Sequence, residues 1–494
     1  MITLNPRPHQ AEILAYTQGS MGISAVPGSG KTWTLSALAA KLIAEGYLDQ
    51  EQEILIVTLT NSAVDNFALR IEGFLSDQAY RPLIPRYRVR TLHGLAHDIV
   101  RERPELAGLD SDFQIIDERA ANSIRSEIAS AWLRAHPNAL DDYLSDELED
   151  SRLEWIKRER LPELIDSVAL AYIRTAKDQL LTPDQIQTQL AALPIPLPLA
   201  EMGAAIYHDY QRALAYRGAV DFDDLIGMAL QILRLDIELL DRLQQRWPYI
   251  LEDEAQDSSR LQEQILRTLV GQDGNWVRVG DPNQAIFESF TTANPRFLRQ
   301  FMTECDHARQ LPNSGRSTGS IIDLANYLID WVRAEHPYQP VRDALDEPYI
   351  EPTPPDDPQP NPPDRPQQIY LVPNRFSPQG ELEAVADSIE RWLVTQQELP
   401  HEQQETVAVL VPRNTRGFAL RDLLAGRGIE VVDSLLRSSS QTRMAAGALG
   451  NLLGYLADPQ SARKLGTVYK VWRREARQES ETWNQVEAIA GLLA

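Results

Sequence analysis

The chain has 494 residues, enough for about three domains, and its 48 basic and 71 acidic side chains give a formal net charge of −23, which disfavours wrapping of nucleic acid over the whole surface but leaves a local basic groove open. With 43% hydrophobic and 24% charged residues it has globular composition, which excludes collagen, coiled coil and whole-chain disorder. One cysteine, Cys305, excludes a disulfide framework and a cysteine-rich zinc site, and with no apolar leader at Met1–Gln10 and no run of about 20 apolar residues a cytoplasmic location is expected.

The first element is an apolar strand around Met21–Val26 that runs into a Gly/Ser turn. A helix over Trp33–Ile43 follows, with Leu35, Leu38, Ala39 and Leu42 at helical spacing. The β-branched run Ile54–Thr58 and the helical pattern Ala63–Leu75 repeat the scheme, so the chain opens as βαβ units on a parallel sheet. From about Leu95 to Arg217, long amphipathic helical patterns with acidic runs such as Asp141–Asp150 predict a helical insertion. Strand patterns return at Tyr249–Glu252 and Trp276–Val279, each ending in acidic or Gly-Asp residues, so the first domain is discontinuous. Between Pro337 and Pro366 prolines are dense and apolar residues few, which predicts an extended surface loop or linker. Beyond it, Gln368–Val372, Thr406–Val411 and Ile429–Val432 read as strands and Glu381–Thr395 and Gly417–Gly426 as helices, a second α/β domain, and Gln441–Ala494 is helical in pattern.

The chemistry starts at Ala25-Val-Pro-Gly-Ser-Gly-Lys-Thr32, between a predicted strand and a predicted helix. Phosphate oxygens need several convergent N–H donors, which Gly28, Ser29 and Gly30 supply without side-chain clashes, and the helix N-terminus adds its dipole. Lys31 would reach the β and γ phosphates and the Thr32 hydroxyl would ligate Mg²⁺, with Ala25 standing where the strict P-loop pattern has glycine. In Ile250-Leu-Glu-Asp-Glu-Ala-Gln-Asp257 an apolar strand ends in adjacent carboxylates; Asp253 suits the metal, and Glu254 suits the attacking water. In Val279-Gly-Asp-Pro-Asn-Gln284, Gln284 would sit beside the γ phosphate. These three elements predict a P-loop NTPase.

Together these residues resemble the superfamily 1 DNA helicases of the UvrD, Rep and PcrA family. Leu4-Asn-Pro-Arg-Pro-His-Gln10 is similar to the family's Q motif, which implies that Gln10 reads the adenine. Thr58-Leu-Thr-Asn-Ser-Ala63 resembles motif Ia and Thr91-Leu-His-Gly94 motif Ib, which implies that Thr60, Asn61 and His93 line a single-strand track; Phe287 and Phe290 are candidates for base stacking. Asp221-Phe-Asp-Asp-Leu225 resembles the segment that leads from the insertion back to the first motor domain. Leu311–Ser317 resembles motif IV, which implies that Arg316 contacts the γ phosphate. Departures from the family pattern are Leu59 for Phe, Trp33 for Arg, Ser314-Gly-Arg-Ser317 where an aromatic would stack on adenine, and Phe290-Thr291 for an aromatic–Arg pair.

The resemblance implies an α/β fold: a RecA-like domain 1A over 1–97 and 221–305, a helical insertion 1B over 98–220, a partial RecA-like domain 2A over 306–436 containing the Pro-rich loop 337–366, and the start of a helical domain 2B over 437–494. It implies ATP and Mg²⁺ as cofactors, single-stranded DNA as partner, and 3′ to 5′ translocation in repair or replication. Motifs V and VI have no counterpart, so a downstream polypeptide supplying them is an expected partner. The alternative is a truncated, nucleotide-gated DNA-binding protein or fragment without unwinding activity. A P-loop kinase is disfavoured by motifs Ia to IV.

Overall fold

The computed structural model describes residues 4–75, 86–144, 149–285, 294–397, 399–400, 404–432, 440–457, 459, 461–473 and 480–493. The chain divides into two compact units, Met1–Ile369 and Tyr370–Ala494. Its strands are, in chain order, β1 (Ser20–Ala25), β2 (Ile54–Thr58), β3 (Tyr87–Thr91), β4 (Gln114–Ile115), β5 (Ala219–Val220), β6 (Tyr249–Glu252), β7 (Asn275–Gly280), β8 (His307–Leu311), β9 (Asn313–Ser314) and β10 (Glu351–Pro352).

Six of them form one parallel sheet in the order β3-β2-β6-β7-β1-β8. Parallel strands need helices on both faces, and the side chains of β2 divide accordingly. Ile54 and Ile56 enter a core with Leu35, Leu38 and Leu42 of the helix Lys31–Ala44. Leu55 and Val57 enter the opposite core with Leu95 and Ile99 of Leu92–Glu102 and Leu230 of Phe222–Leu235. Both faces are therefore dry, as the apolar run Ile54–Val57 of β2 requires. All six strands point the same way, so the carboxyl ends of β1, β2, β6 and β7 share one edge, where ligands of open α/β sheets bind.

The chain leaves this domain at β4 and returns at β5, which pair in parallel at the base of the insertion. Between them, helices Glu118–Ala135, Leu161–Asp178, Pro183–Ala191 and Pro198–Tyr216 enclose a separate core around Ile165, Ala169, Ile206 and Leu214. The helical insertion and the discontinuous sheet expected from sequence are both present.

Two expectations are corrected. Residues 306–311, assigned from sequence to the second motor domain, supply β8, which pairs with β1 in the first sheet. In place of the strands expected at 368–372, 406–411 and 429–432, Gln368 ends a short 3₁₀ helix (Pro366–Gln368) and the remaining residues run as irregular backbone. A strand needs a neighbour for its N–H and C=O groups; among the described residues these segments have none, and Leu371, Leu410 and Val432 are exposed. Within Tyr370–Ala494 the described order is helical: Pro378–Gln397 packs Leu382, Ala386 and Ile389 against Leu420 and Leu424 of Asn414–Gly426, and Ser440–Leu456, Ala462–Trp472 and Ser480–Leu493 follow. No helix among the described residues is long and apolar enough to cross a membrane.

Candidate functional site

The loop after β1 has the backbone that its glycines permit. Gly28 (φ 76°) and Gly30 (φ 86°) are left-handed, a conformation costly for other residues. Gly28 also allows a close approach: a Cβ there would lie 2.6 Å from Arg316 Cβ and 2.7 Å from Ser314 Oγ. Gly30 caps the helix Lys31–Ala44 without a side-chain bond, leaving its first N–H groups for an anion. Ala25 closes β1 fully buried, Ser29 is buried and Thr32 half-buried in the first turn. Gln10 lies buried beneath the loop; its Nε2 donates to the Ser29 carbonyl at 3.1 Å, and its Oε1 accepts the Arg7 backbone N–H at 2.9 Å.

Opposite this loop stand the carboxylates at the end of β6. Lys31 Nζ lies 2.9 Å from Glu254 Oε2, which also accepts from Gln256 Nε2 at 2.9 Å. Glu254 has φ 54°, a strained value for a residue with a Cβ and one that recurs at functional sites. Burial works to raise the Glu254 carboxyl, but Lys31 and the Gln256 bond outweigh it and hold it below the ordinary glutamate value, with Arg316 adding to the same effect. Asp253 differs. Its N–H donates to the Val57 carbonyl at 2.9 Å, while its buried Oδ1 has no hydrogen-bond partner. Burial, reinforced by Glu254, pushes this carboxyl up to about 7 despite Lys31.

An orphaned buried carboxylate next to a lysine and a helix N-terminus fits a divalent cation that travels with phosphate, so Asp253 and Thr32 would hold Mg²⁺. Among the described residues no three carboxylate, histidine or cysteine side chains form an all-protein metal cage. Gln284 follows β7, its N–H donating to the Asp281 carbonyl at 3.0 Å, and Arg316 is exposed beside Gly28. Beneath these tips, fully buried Arg278 bridges Glu252 (2.7 Å) and Glu263 (3.2 Å) and lies over the Trp276 ring at 4.6 Å. This ionic anchor joins β6, β7 and the helix Arg260–Val270. Sequence reading missed it, although an arginine inside an apolar strand next to a glutamate-ended strand was its signal.

A cavity of about 670 Å³ opens between this edge and the insertion, lined by Thr60, Asn61 and His93 together with Arg174, Phe222 and Asp257. Thr60 caps the helix Asn61–Phe74, its Oγ1 accepting from Ala63 N at 3.2 Å. His93 meets Phe222 edge to face, ring centroids 5.7 Å apart. Burial lowers the His93 pKa, against the opposing fields of Asp223 and Asp221, and so favours the neutral ring. In the cavity wall Lys177 Nζ, buried, lies 2.6 Å from Asp221 Oδ2 and 2.8 Å from Asp224 Oδ1, and the Tyr210 hydroxyl donates to Asp221 Oδ2 at 2.8 Å. A narrow crevice lined by Asp253, Glu254, Asp257 and His93 adjoins the cavity, so Asp257 and His93 border both spaces. Sequence reading missed Phe222, Arg174 and Lys177. The acidic Asp221–Leu225 motif was visible, but what it faces depends on how the insertion folds back. Phe287 and Phe290 lie outside the described residues.

A phosphate loop, a carboxylate pair and a RecA-like parallel sheet define a P-loop NTPase. More narrowly, the chain belongs to the UvrD/REP helicase N-terminal domain family, whose pattern matches residues 6–306. It is 30% identical over 323 residues to the ATP-dependent DNA helicase PcrA of Leuconostoc citreum, covering 65% of this chain and 38% of that one. It is 29% identical over 329 residues to the ATP-dependent DNA helicase UvrD2 of Mycobacterium tuberculosis (65% and 42%) and 27% over 327 to PcrA of Staphylococcus epidermidis (66% and 40%). The chain thus spans about two fifths of the length of the curated relatives it matches.

Proposed function

We propose that this chain is the ATP-hydrolysing portion of a DNA helicase that translocates on single-stranded DNA, 3′ to 5′ by resemblance to the family. The observation that supports the reading best is the adjacency of the two spaces: Glu254, beside Lys31, borders the crevice that meets the Thr60–Asn61–His93 groove at Asp257. Lys31 and the N–H groups after Gly28 bind the phosphates, and Gln10 serves the base side. Arrival of a phosphate draws Lys31 away from Glu254, leaving that carboxylate to take the proton of the attacking water. Mg²⁺, when bound at Asp253 and Thr32, neutralises phosphate charge. Gln284 and Arg316 register the γ phosphate. Thr60, Asn61, His93 and Phe222 hold the strand, together with Phe287 and Phe290. The reading retains four parts, 1A, 1B, 2A and 2B, with motifs V and VI supplied by a downstream polypeptide.

A second reading, a nucleotide-gated DNA binder without unwinding, draws support from the irregular backbone at 369–372, 406–411 and 429–432. ATP hydrolysis with and without single-stranded DNA, with Lys31→Ala as the blank, separates the two. DNA-stimulated turnover lost in the blank supports the motor. ATP-dependent DNA binding without turnover supports the binder, and wild-type turnover by Lys31→Ala would sink the P-loop assignment.

A further inference from the structure

The Pro-rich stretch is more than a surface loop. Within Met1–Ile369 it is fastened at three places to the nucleotide end of the sheet. Next to Gln284, the Asn283 amide exchanges two hydrogen bonds with the Asp346 backbone, donating to its carbonyl at 2.6 Å and accepting its N–H at 2.8 Å. Further on, β10 lies parallel to β9, and Asn361 Nδ2 donates to the carbonyls of Ser314 (2.6 Å) and Ser317 (2.8 Å), on either side of Arg316. Between them, Asp357, its side chain 3% exposed, takes the Arg7 guanidinium through two bonds of 2.7 and 3.2 Å. Through the Arg7 N–H this last contact continues to Gln10 and from there to the Ser29 carbonyl.

Gly315 explains how the pieces fit. A Cβ there would lie 2.7 Å from the Gln359 carbonyl oxygen and 2.7 Å from Arg7 Nη2, so this stretch fills the space a side chain at 315 would need. Bidentate carboxylate–guanidinium pairs fix orientation as well as energy, and proline-rich backbone is stiff. A segment so fastened transmits position between its attachments.

We propose that residues 346–364 form a positioning strap that sets the γ-phosphate side of the site, Gln284 and Arg316, relative to its base side at Gln10, with Asp357 and Asn361 as the positioning residues. This rests on the ATP-binding reading above. Asp357 acts through Arg7 and Gln10 on a part of the ligand that ATP and ADP share. Asn361 acts through the 314–317 turn on Arg316, and so chiefly on a nucleotide with a γ phosphate.

The test is titration of the full chain with fluorescently labelled ATP and ADP in Mg²⁺, with thermal melting of each variant as control. Asp357→Asn weakens both nucleotides alike by about tenfold, the worth of a bond to a charged group. Asn361→Ala weakens ATP about tenfold and leaves ADP within about twofold. Should Asp357→Asn fail to fold, Asp357→Glu, which keeps the charge and shifts the carboxylate by one methylene, carries the same expectation. Equal weakening of both nucleotides by every variant means general loosening and overturns the strap, as does binding unchanged from wild type. A wild-type chain that binds neither nucleotide overturns the ATP reading itself.

Discussion

Lys31 and Glu254 hold each other across the head of the sheet, Nζ to Oε2 at 2.9 Å, so the phosphate-binding cation and the carboxylate best placed to activate water neutralise one another in the free protein. On the proposed function the pair is a resting state: a triphosphate would compete for Lys31 and release Glu254. Glu254→Gln keeps the shape and removes the base. Hydrolysis should fall by roughly 10²- to 10⁴-fold, the usual contribution of a positioned general base. ATP affinity should hold or rise, because Lys31 no longer leaves a carboxylate. Single-turnover hydrolysis alongside nucleotide titration checks both, and unchanged turnover would remove Glu254 from the mechanism.

Asp281, at the tip of β7, gives a pH signature in the ligand-free chain. Burial, only partly offset by the Asn283 N–H, pushes its carboxyl up to about 6 from an ordinary value of 3.8. The folded state thus binds the proton more tightly than the unfolded one. The resulting stability is fully present below about pH 4 and lost as pH rises through 6. At pH 8 the ionised carboxylate costs up to about 3 kcal/mol, at 1.36 kcal/mol per pH unit. Asp281→Asn, which can still accept the Asn283 N–H, escapes this. Urea unfolding should show the variant nearly level with wild type at pH 4, increasingly more stable between pH 4 and 6, and level in its advantage above. A constant gap across that range would mean that Asp281 does not titrate there.

What could be read from the sequence follows from what is local. β2 is apolar up to Thr58 and β6 up to Glu252, and β7 is apolar apart from Asn275 and Arg278, because both faces are covered, and they stood out. β3 and β8 did not, because they are the sheet's two edges. Tyr87-Arg-Val-Arg-Thr buries only Val89, and His307-Ala-Arg-Gln-Leu buries only Leu311. An edge strand dressed with arginines carries too little apolar signal to be told from a loop. The phosphate loop and the Asp253–Glu254 pair were legible because each lies within a few residues of one strand end. Phe222 reaches His93, and Lys177 reaches Asp221, only when a helical insertion of about a hundred residues closes on itself, and no local pattern records that. In the same way, proline density marked 337–366 as coreless but carried no hint that Asp357 finds Arg7 across some 350 positions.

Lys177 joins the helical insertion to the helix Phe222–Leu235 of the parallel-sheet domain. Its ammonium, buried, is held charged by Asp224 and Asp221 against the opposing effect of burial, while Asp221 also caps the helix Phe222–Leu235 through Asp224 N–H at 2.9 Å. Lys177→Met leaves two carboxylates in a site without a cation, and loss of one partner of a buried pair costs about 3–5 kcal/mol. The triple variant Lys177→Met, Asp221→Asn, Asp224→Asn should recover much of that, since asparagine still caps the helix and no charge is stranded. Urea unfolding of both variants measures it. If the single variant loses nothing, the cluster is not what holds the insertion.

Phe222 is 41% exposed in the wall of the groove, with its ring braced edge-on by His93, and an aromatic so held in a cavity of this size offers a base a face to stack on. Stacking is worth about 1–3 kcal/mol per base, so Phe222→Ala should weaken binding of an oligothymidylate by roughly 5- to 150-fold. ATP binding without DNA should stay at wild type, because the ring takes no part in the phosphate site. His93→Gln should cost less than Phe222→Ala, since it removes the brace and not the platform. The state of His93 sharpens the test. Burial lowers its pKa, so its charged form is disfavoured near neutrality, and affinity should show no histidine step centred at or above pH 6.5. Fluorescence anisotropy between about pH 6 and 8 reads both. A loss of affinity centred near pH 6.5 as pH rises would mean that His93 binds phosphate as a cation, and Phe222 would then be a wall of the groove without being its stacking surface.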